Sequence, residues 1–123
     1  MSQTSIPPKQ RLIVALDVPS ATEARALVTE IGDAVHFYKV GLELFTGADG
    51  FGIVDWLTGQ KKNVFVDLKF FDVPATVGRA VSQLQGRGIT FATVHGNDAM
   101  MKAAADAANG VGILAVTVLT SLD

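Results

Sequence analysis

The sequence predicts an α/β fold in which short parallel strands alternate with helices. Apolar runs too short to be helices recur along the 123 residues, bounded by glycine, proline or polar residues. The segments between them space their apolar residues three and four positions apart, as on one face of a helix. Strands that are apolar on both faces are typical of parallel sheets covered by helices. The expected order is strand and helix four times over, followed by a fifth strand.

The first strand is predicted at residues 12–18, which are apolar up to a single acid, Asp17. The helix that follows begins after Ser20, because Ser20 and Glu23 have the spacing of a capping box. Gly32 is expected to end this helix with a positive φ. The buried face of the helix is predicted to consist of Ala24, Leu27, Val28 and Ile31.

Residues 37–42 are predicted as the second strand, with Lys39 inside it. Glycines at positions 47, 50 and 52 interrupt the next segment, so a loop is expected, followed by a short helix around residues 53–58. The third strand begins with the apolar run at residues 63–66 and leads into a charged stretch that ends before Pro74.

Pro74 is a favoured early helical residue and predicts the start of the next helix. Gly86 or Gly88 is expected to end that helix, whose apolar positions are Val77, Ala80, Val81 and Leu84. Residues 91–96 are the fourth strand, and Asn97 or Asp98 is expected to cap the following helix. The apolar face of that helix is predicted from Met101, Ala104, Ala105 and Ala108, and residues 113–119 are the fifth strand.

Composition restricts the class of protein. Hydrophobic residues make up 49% of the chain, which is enough for a core, and the formal net charge of −2 argues against nucleic-acid or anionic membrane partners. The chain has no cysteine, no apolar signal-peptide segment and no run near the ~20 residues of a membrane span. We expect a cytoplasmic protein with a lead-in at residues 1–11 and one domain at 12–123.

Two parallel architectures begin with this order of elements, the doubly wound sheet and the (β/α)₈ barrel. The turn after the first strand, residues 17–20, lacks the glycine-rich dinucleotide fingerprint, which argues against a dinucleotide-binding domain. A barrel has eight strands and typically ~250 residues. This chain therefore matches the first five strands and four helices of a barrel.

Charged residues collect at the ends of the first three predicted strands. Asp17 ends the first, Lys39 lies in the second, Asp67 and Lys69 lie in the third, and Asp72 follows where the third strand gives way to a turn. Alternation along a strand places Asp67 and Lys69 on one face. In a parallel barrel these strand ends converge, so an array of alternating acids and lysines is expected there. The structural alternative is an internal Asp67–Lys69 ion pair, with Asp72 as a helix cap.

The pattern Asp67-x-Lys69-x-x-Asp72, continued by Val73-Pro74-Ala75-Thr76, resembles the signature of the orotidine 5′-phosphate decarboxylase family. Four further segments are similar to that family in the same order: residues 16–17, 38–41, 94–96 and 116–121. The resemblance covers the chain from Leu12 onward and implies a (β/α)₈ barrel. Phe71 departs from it, since many members have histidine there, and it is expected to affect packing rather than chemistry.

This resemblance implies a cofactor-free conversion of orotidine 5′-phosphate to uridine 5′-phosphate and CO₂ in pyrimidine biosynthesis. It assigns stabilisation and protonation of the carbanion to Lys69, with Asp67 beside it, and positioning of Lys69 and the ribose to Lys39 and Asp17. Asp72 and Thr76 are implied to reach the partner's site in a homodimer. The implied catalytic residues are Lys69, Asp67, Asp72 and Lys39, and no metal ligand is implied. The residues implied to contact the substrate are Asp17, Lys39, Asp67, Leu68, Lys69, Phe70, Phe71, Asp72, Val73, Pro74, Ala75, Thr76 and Thr120.

Two alternatives stay open at the level of sequence. One is a metal-dependent decarboxylase or aldolase of sugar phosphates on the same barrel, since the Asp-x-Lys-x-x-Asp core is shared with such enzymes. The other is a non-catalytic half-barrel that only folds and associates. Because the later strands that hold the phosphate in the family have no counterpart here, the 123 residues alone are expected to be a weak or inactive decarboxylase. His95 is interpreted as structural.

Overall fold

The computed structural model describes residues 5–47 and 50–117. The chain forms two compact units, the first ending at Val64 and the second beginning at Phe65. Strands and helices alternate as predicted, with one additional helix before the third strand. Among the described helices, none combines the length and the apolar character needed to cross a membrane.

The described residues of the first unit include two parallel neighbouring strands and three α-helices. Its strands are β1 (Val14–Ala15) and β2 (Phe37–Gly41), and Val14 pairs with Tyr38 while Ala15 pairs with Lys39. Its helices are α1 (Ala21–Ile31), α2 (Leu42–Gly47) and α3 (Gly50–Gly59). The core of this unit is apolar and includes Leu16, Ala24, Val28, Tyr38, Val40, Leu44, Ile53, Val54 and Leu57.

Two predictions in this unit are wrong. The strand predicted at residues 12–18 is only two residues long, because Leu12 and Ile13 are exposed and the ladder with β2 covers only Val14 and Ala15. The loop predicted after Leu42 is largely helical, since α2 buries Leu44 and α3 starts at Gly50. The glycines at positions 47, 50 and 52 lie at the end of α2 and in the first turn of α3, where they do not break a helix interior.

Helix α1 begins as the sequence predicts. The Ser20 hydroxyl accepts a hydrogen bond from the Glu23 backbone N–H at 3.2 Å and donates to Glu23 Oε2 at 3.0 Å. Gly32 ends the helix with φ +64°. On the predicted buried face Ala24 and Val28 are fully buried, whereas Leu27 and Ile31 are half-buried.

Removal of the Ser20 hydroxyl is expected to destabilise the chain. Ser20→Ala leaves the Glu23 N–H without its side-chain acceptor, which typically lowers the free energy of unfolding by about 1 kcal/mol. Urea denaturation followed by circular dichroism measures the change. Thr29→Ala, on the exposed side of the same helix, is the matched control and is expected to stay within about 0.5 kcal/mol of the parent. Equal losses in the two variants would contradict the capping role.

A charged cluster joins the start of the described chain to the end of α1. The Lys9 ammonium contacts the Asp33 carboxylate, and His36 Nε2 lies 2.6 Å from Asp33 Oδ1. The His36 backbone N–H also donates to the Lys9 carbonyl at 2.8 Å. The hydrogen bond from Lys9, followed by that from His36, lowers the pKa of Asp33 to about 2.

This lowered pKa predicts an acid-dependent contribution to stability. Because the pKa of folded Asp33 lies below the ordinary value of 3.8, its ionised form stabilises the fold above about pH 4, and this contribution is lost as the pH falls toward 2. The urea midpoints of the parent and of Asp33→Asn are therefore expected to differ at pH 5 and to converge near pH 2. A difference that is constant over this range would contradict the assignment.

The second unit contains most of β3 (Asn63–Phe70) and all of β4 (Ile89–His95) and β5 (Gly112–Val116), which are neighbours in that order. Strands β4 and β5 are parallel, in a register that runs from Phe91 opposite Gly112 to His95 opposite Val116. The rings of Phe65 and Phe91 meet edge to face with centroids 6.2 Å apart. The helices are α4 (Pro74–Ser82) and α5 (Asp98–Ala107), and they pack on each other.

Helix boundaries in this unit partly follow the sequence. Pro74 opens α4 as predicted, but the helix ends at Ser82, and turns lead from there to Gly86 and Gly88, both with φ +76°. Asn97 is the cap of α5, since its side-chain oxygen accepts from the Met100 N–H at 2.9 Å.

The apolar face predicted for α5 is confirmed at Ala104 and Ala108 and wrong at Met101 and Ala105. Met100 and Ala104 are the buried residues of the helix, with Ala108 buried just after it, whereas Met101 is half-buried and Ala105 is exposed. The described part of β5 ends at Val116, short of the predicted boundary, and positions 118 and 119 lie outside the described residues.

Candidate active site

An ion pair lies near the end of β3. The Lys69 ammonium donates hydrogen bonds to both carboxylate oxygens of Asp67, each at 3.0 Å. The Asp67 side chain is 12% exposed and that of Lys69 is 41% exposed, so the acid is largely shielded while the lysine side chain is partly open to solvent. The two residues are two positions apart, as expected for side chains on one face of a strand.

The backbone at Lys69 has an unusual conformation. Its φ is +49°, in the left-handed region that residues with a side chain rarely adopt. Such a conformation costs roughly 1–2 kcal/mol for an L-residue other than glycine. Residues held in such strained conformations cluster at functional sites, where surrounding contacts hold them in place.

Thr93 on β4 contacts both members of the pair. Its hydroxyl accepts a hydrogen bond from the Lys69 backbone N–H at 3.0 Å and donates one to Asp67 Oδ1 at 2.8 Å. Thr93 is 4% exposed. Thr93 was not among the site residues predicted from the sequence. The available signal was a hydroxyl inside an otherwise apolar strand that follows the charged strand in the chain.

Asp72 lies in the connection between β3 and α4 and is exposed. Its Oδ1 accepts from the backbone N–H of the next residue, Val73, at 2.7 Å. Val73 rather than Asp72 is the N-cap of α4, so the alternative role of Asp72 as the helix cap is wrong. Its carboxylate therefore lies at the surface, just after the strand that carries the ion pair.

Two large apolar side chains flank Asp72 at the surface. Phe71 is 66% exposed and Val73 is 61% exposed. The Phe71 ring lies edge to face against His95, with centroids 4.8 Å apart, so this residue does take part in packing. Thr76, in the first turn of α4, accepts a hydrogen bond from the Arg79 guanidinium at 3.1 Å.

The remaining residues predicted to contact the substrate lie on β3, in the first turn of α4 and outside the described residues. Leu68 and Phe70 are half-buried on β3, and Pro74 and Ala75 are exposed in the first turn of α4. Thr120, predicted to contact the substrate, lies outside the described residues.

Asp17 and Lys39 belong to the first unit. Lys39 is half-buried on β2, where it pairs with Ala15, and Asp17 is exposed two residues after β1. A Cβ on Gly41 would lie 3.9 Å from Asp17 Oδ1, so the carboxylate reaches the carboxyl end of β2. Both charges therefore lie where parallel strands of this class carry functional side chains.

The second unit thus holds an ammonium fixed by a carboxylate that is fixed in turn by a buried hydroxyl. A fixed ammonium beside a bound molecule stabilises developing negative charge and can deliver a proton. Among residues 5–47 and 50–117, no three histidine, aspartate or glutamate side chains gather closely enough to hold a metal ion.

Comparison with known families identifies the group to which the chain is related. The family model described as "Orotidine 5'-phosphate decarboxylase / HUMPS family" matches residues 10–123. The chain belongs to this family. The resemblance found in the motif around Lys69 is therefore confirmed, and it extends over nearly the whole chain.

Members of the orotidine 5′-phosphate decarboxylase / HUMPS family with curated names are similar along the full chain. A relative from Methylococcus capsulatus is 64% identical over 123 residues, which are 100% of this chain and 51% of the relative. A Bradyrhizobium relative is 51% identical over 122 residues, 98% of this chain and 50% of its own length. Both are named orotidine 5′-phosphate decarboxylase. The chain spans about half the length of these relatives and corresponds to their N-terminal half.

Solved structures of the family have the same fold as the chain. A crystal structure titled as the Lactobacillus acidophilus orotidine 5′-phosphate decarboxylase matches with a TM-score of 0.83 and 39% identity, over 93% of this chain and 55% of that one. The corresponding Thermotoga maritima structure matches with a TM-score of 0.76 and 26% identity, over 90% and 56%. The predicted fold class, α/β of the barrel type, is confirmed, and about half of such a fold is covered.

Proposed function

We propose that this chain carries the decarboxylation residues of an orotidine 5′-phosphate decarboxylase, a carboxy-lyase that needs no cofactor. The observation that carries the proposal is the Lys69 ammonium held at 3.0 Å from both oxygens of Asp67. Two curated relatives with that name, at 64% and 51% identity, support it. The activity, the substrate and the partners of the whole protein are part of the proposal, because the relatives are about twice as long.

In the proposed reaction the bond between the pyrimidine C6 and the carboxyl carbon breaks, and CO₂ leaves. The electron pair stays on C6, where the Lys69 ammonium stabilises it and then donates the proton that completes uridine 5′-phosphate. Asp67 keeps Lys69 in place and holds a negative charge near the departing carboxylate. Charge that is organised before the reaction is commonly the largest catalytic contribution.

The other predicted residues have supporting roles in this proposal. Lys39 and Asp17 position Lys69 and bind the ribose hydroxyls. Thr120 binds the pyrimidine, and residues 68–76 line the substrate-binding site. We further propose a cytoplasmic homodimer in which Asp72 and Thr76 reach the partner's site. The exposed positions of Asp72, Phe71 and Val73 are compatible with such an interface. Residues 1–11 are proposed as a lead-in to the domain at 12–123.

The test uses two proteins, because the relatives are about twice as long as the chain. The first is the chain itself, titrated calorimetrically with a 6-substituted uridine monophosphate inhibitor. The second is a chimera that joins residues 1–123 to the part of the Methylococcus capsulatus relative that the match does not cover. Its decarboxylase activity is followed by the loss of orotidine 5′-phosphate absorbance. A folded chimera without activity would contradict the proposal.

A chelator arm separates the proposal from a metal-dependent sister reaction. Activity of the chimera is expected to be unchanged after treatment with EDTA. Loss of activity that returns with a divalent cation would favour a sugar-phosphate enzyme of the same family.

A further inference from the structure

We propose that Thr93 is a positioning residue that holds both the carboxylate of Asp67 and the backbone of Lys69 in their working arrangement. This inference deepens the proposed function. It rests on the side chain of one residue on β4 that contacts two residues on β3, and nothing in the family match assigns a role to this position.

The hydroxyl of Thr93 both donates and accepts a hydrogen bond within the site. It accepts from the Lys69 N–H at 3.0 Å and donates to Asp67 Oδ1 at 2.8 Å. Because a hydroxyl has only one proton, the proton given to Asp67 leaves the oxygen lone pairs free for Lys69. The two hydrogen bonds can therefore form at the same time, and together they fix the Thr93 hydroxyl relative to β3.

The first bond explains how Lys69 keeps a positive φ. At +49° the Lys69 backbone is in a region that a side chain disfavours, and it needs contacts that hold it there. The Lys69 N–H in this conformation meets Thr93 Oγ1. Loss of the hydroxyl would leave that N–H without this acceptor, and the backbone would be free to return toward an ordinary conformation.

The second bond orients the carboxylate that receives the lysine. Asp67 Oδ1 accepts from Thr93 and from the Lys69 ammonium, while Oδ2 accepts from the same ammonium. A donor that is 4% exposed and stiff at χ1, as a β-branched residue is, limits rotation of the carboxylate. Thr93 therefore acts on the ammonium at two points: through the carboxylate and through the backbone.

Nuclear magnetic resonance of the intact chain tests this role without a need for turnover. In Thr93→Val, which keeps the shape and removes the hydroxyl, hydrogen exchange of the Lys69 amide is expected to accelerate by about tenfold, as for the loss of one hydrogen bond. The Lys69 Cε signal, assigned with Lys69→Ala, is expected to move toward that of a solvated lysine. Thr93→Ser, which retains the hydroxyl, is expected to keep both signals near those of the parent.

Thr90→Val is the matched control, since Thr90 lies on the same strand three residues away and on the opposite face. In Thr90→Val the hydrogen exchange rate of the Lys69 amide is expected to equal that of the parent. Thr93→Ala serves as a second hydroxyl-free variant if Thr93→Val has no folded spectrum. A folded hydroxyl-free variant in which the Lys69 amide exchange and Cε signal match those of the parent would overturn the inference. A folded Thr93→Ser variant in which both differ from the parent would also overturn it.

Inhibitor titration separates this inference from the proposed function. Thr93→Val is expected to bind the 6-substituted uridine monophosphate about tenfold more weakly than the parent, and Thr93→Ser within about threefold, as for one hydrogen bond. Accelerated exchange in Thr93→Val together with a folded chimera that has no decarboxylase activity would support the positioning role and contradict the proposed function. Binding of the inhibitor by the parent, together with unchanged exchange in Thr93→Val, would support the proposed function and contradict the positioning role of Thr93.

Discussion

Lys69→Ala is expected to reduce the decarboxylation rate of the chimera by on the order of 10³-fold or more, because the variant removes the group proposed both to place a charge beside the reacting carbon and to donate the proton. The effect is expected in kcat rather than in KM, since this charge matters most when the negative charge develops. Steady-state rates at several concentrations of orotidine 5′-phosphate measure both constants. Inhibitor binding to the chain itself is also expected to weaken.

Lys102→Ala is the control for Lys69→Ala. Lys102 lies on α5 and pairs with Asp106 at 3.5 Å in an exposed i, i+4 arrangement, so its removal is expected to leave kcat unchanged. Lys69→Arg keeps a positive charge but replaces the compact ammonium with a planar guanidinium, and it is expected to remain strongly impaired. Near-parental kcat in Lys69→Ala would exclude Lys69 as the proton donor.

Gly96→Ala is expected to lower the free energy of unfolding by about 1–3 kcal/mol, the range for overpacking a tight site. A Cβ at this position would lie 2.9 Å from the Val116 carbonyl oxygen and 3.2 Å from Thr117 Cα. Both atoms belong to the backbone, which cannot move as a flexible side chain can. The strain falls where β4 ends, one residue after His95, and is expected to separate this end of β4 from β5.

The control for Gly96→Ala is a glycine with room for a methyl group. Gly78 lies inside α4, and its Cβ would be 3.5 Å from the Ala103 carbonyl oxygen, an ordinary contact. Gly78→Ala is expected to stabilise the helix by about 0.5–1 kcal/mol, since alanine loses less backbone entropy than glycine. Denaturant unfolding of the two variants gives the comparison. Similar stabilities in both would show that the space at Gly96 is not limiting.

The features predicted correctly from the sequence are mostly local. Ser20 caps α1 and Asn97 caps α5 because a side chain and an N–H two or three residues away suffice for a cap. The Asp67–Lys69 pair follows from alternation along one strand. In each case the interacting groups are a few residues apart, so the local sequence is enough to predict the contact.

The features that were missed depend on more distant contacts or on the exact phase of an element. Thr93 contacts Lys69 from another strand, so neither segment alone indicates the contact. Met100 rather than Met101 is buried because the packing of α5 selects one of two nearly equivalent faces. The loop predicted after Leu42 is helical because burial of Leu44 outweighs the weak helix propensity of the nearby glycines.

The edge-to-face contact of Phe65 and Phe91 has a consequence for the chemistry. Each ring lies two residues before a member of the site on its own strand, Asp67 on β3 and Thr93 on β4, and so on the same face as that member. A slip of one residue between the strands would turn Asp67 and Lys69 to the opposite face and separate them from the hydroxyl. Two bulky rings with a preferred mutual geometry disfavour such a slip. The aromatic pair therefore helps to fix the alignment of β3 and β4, and with it the position of the Asp67–Lys69 pair beside the Thr93 hydroxyl.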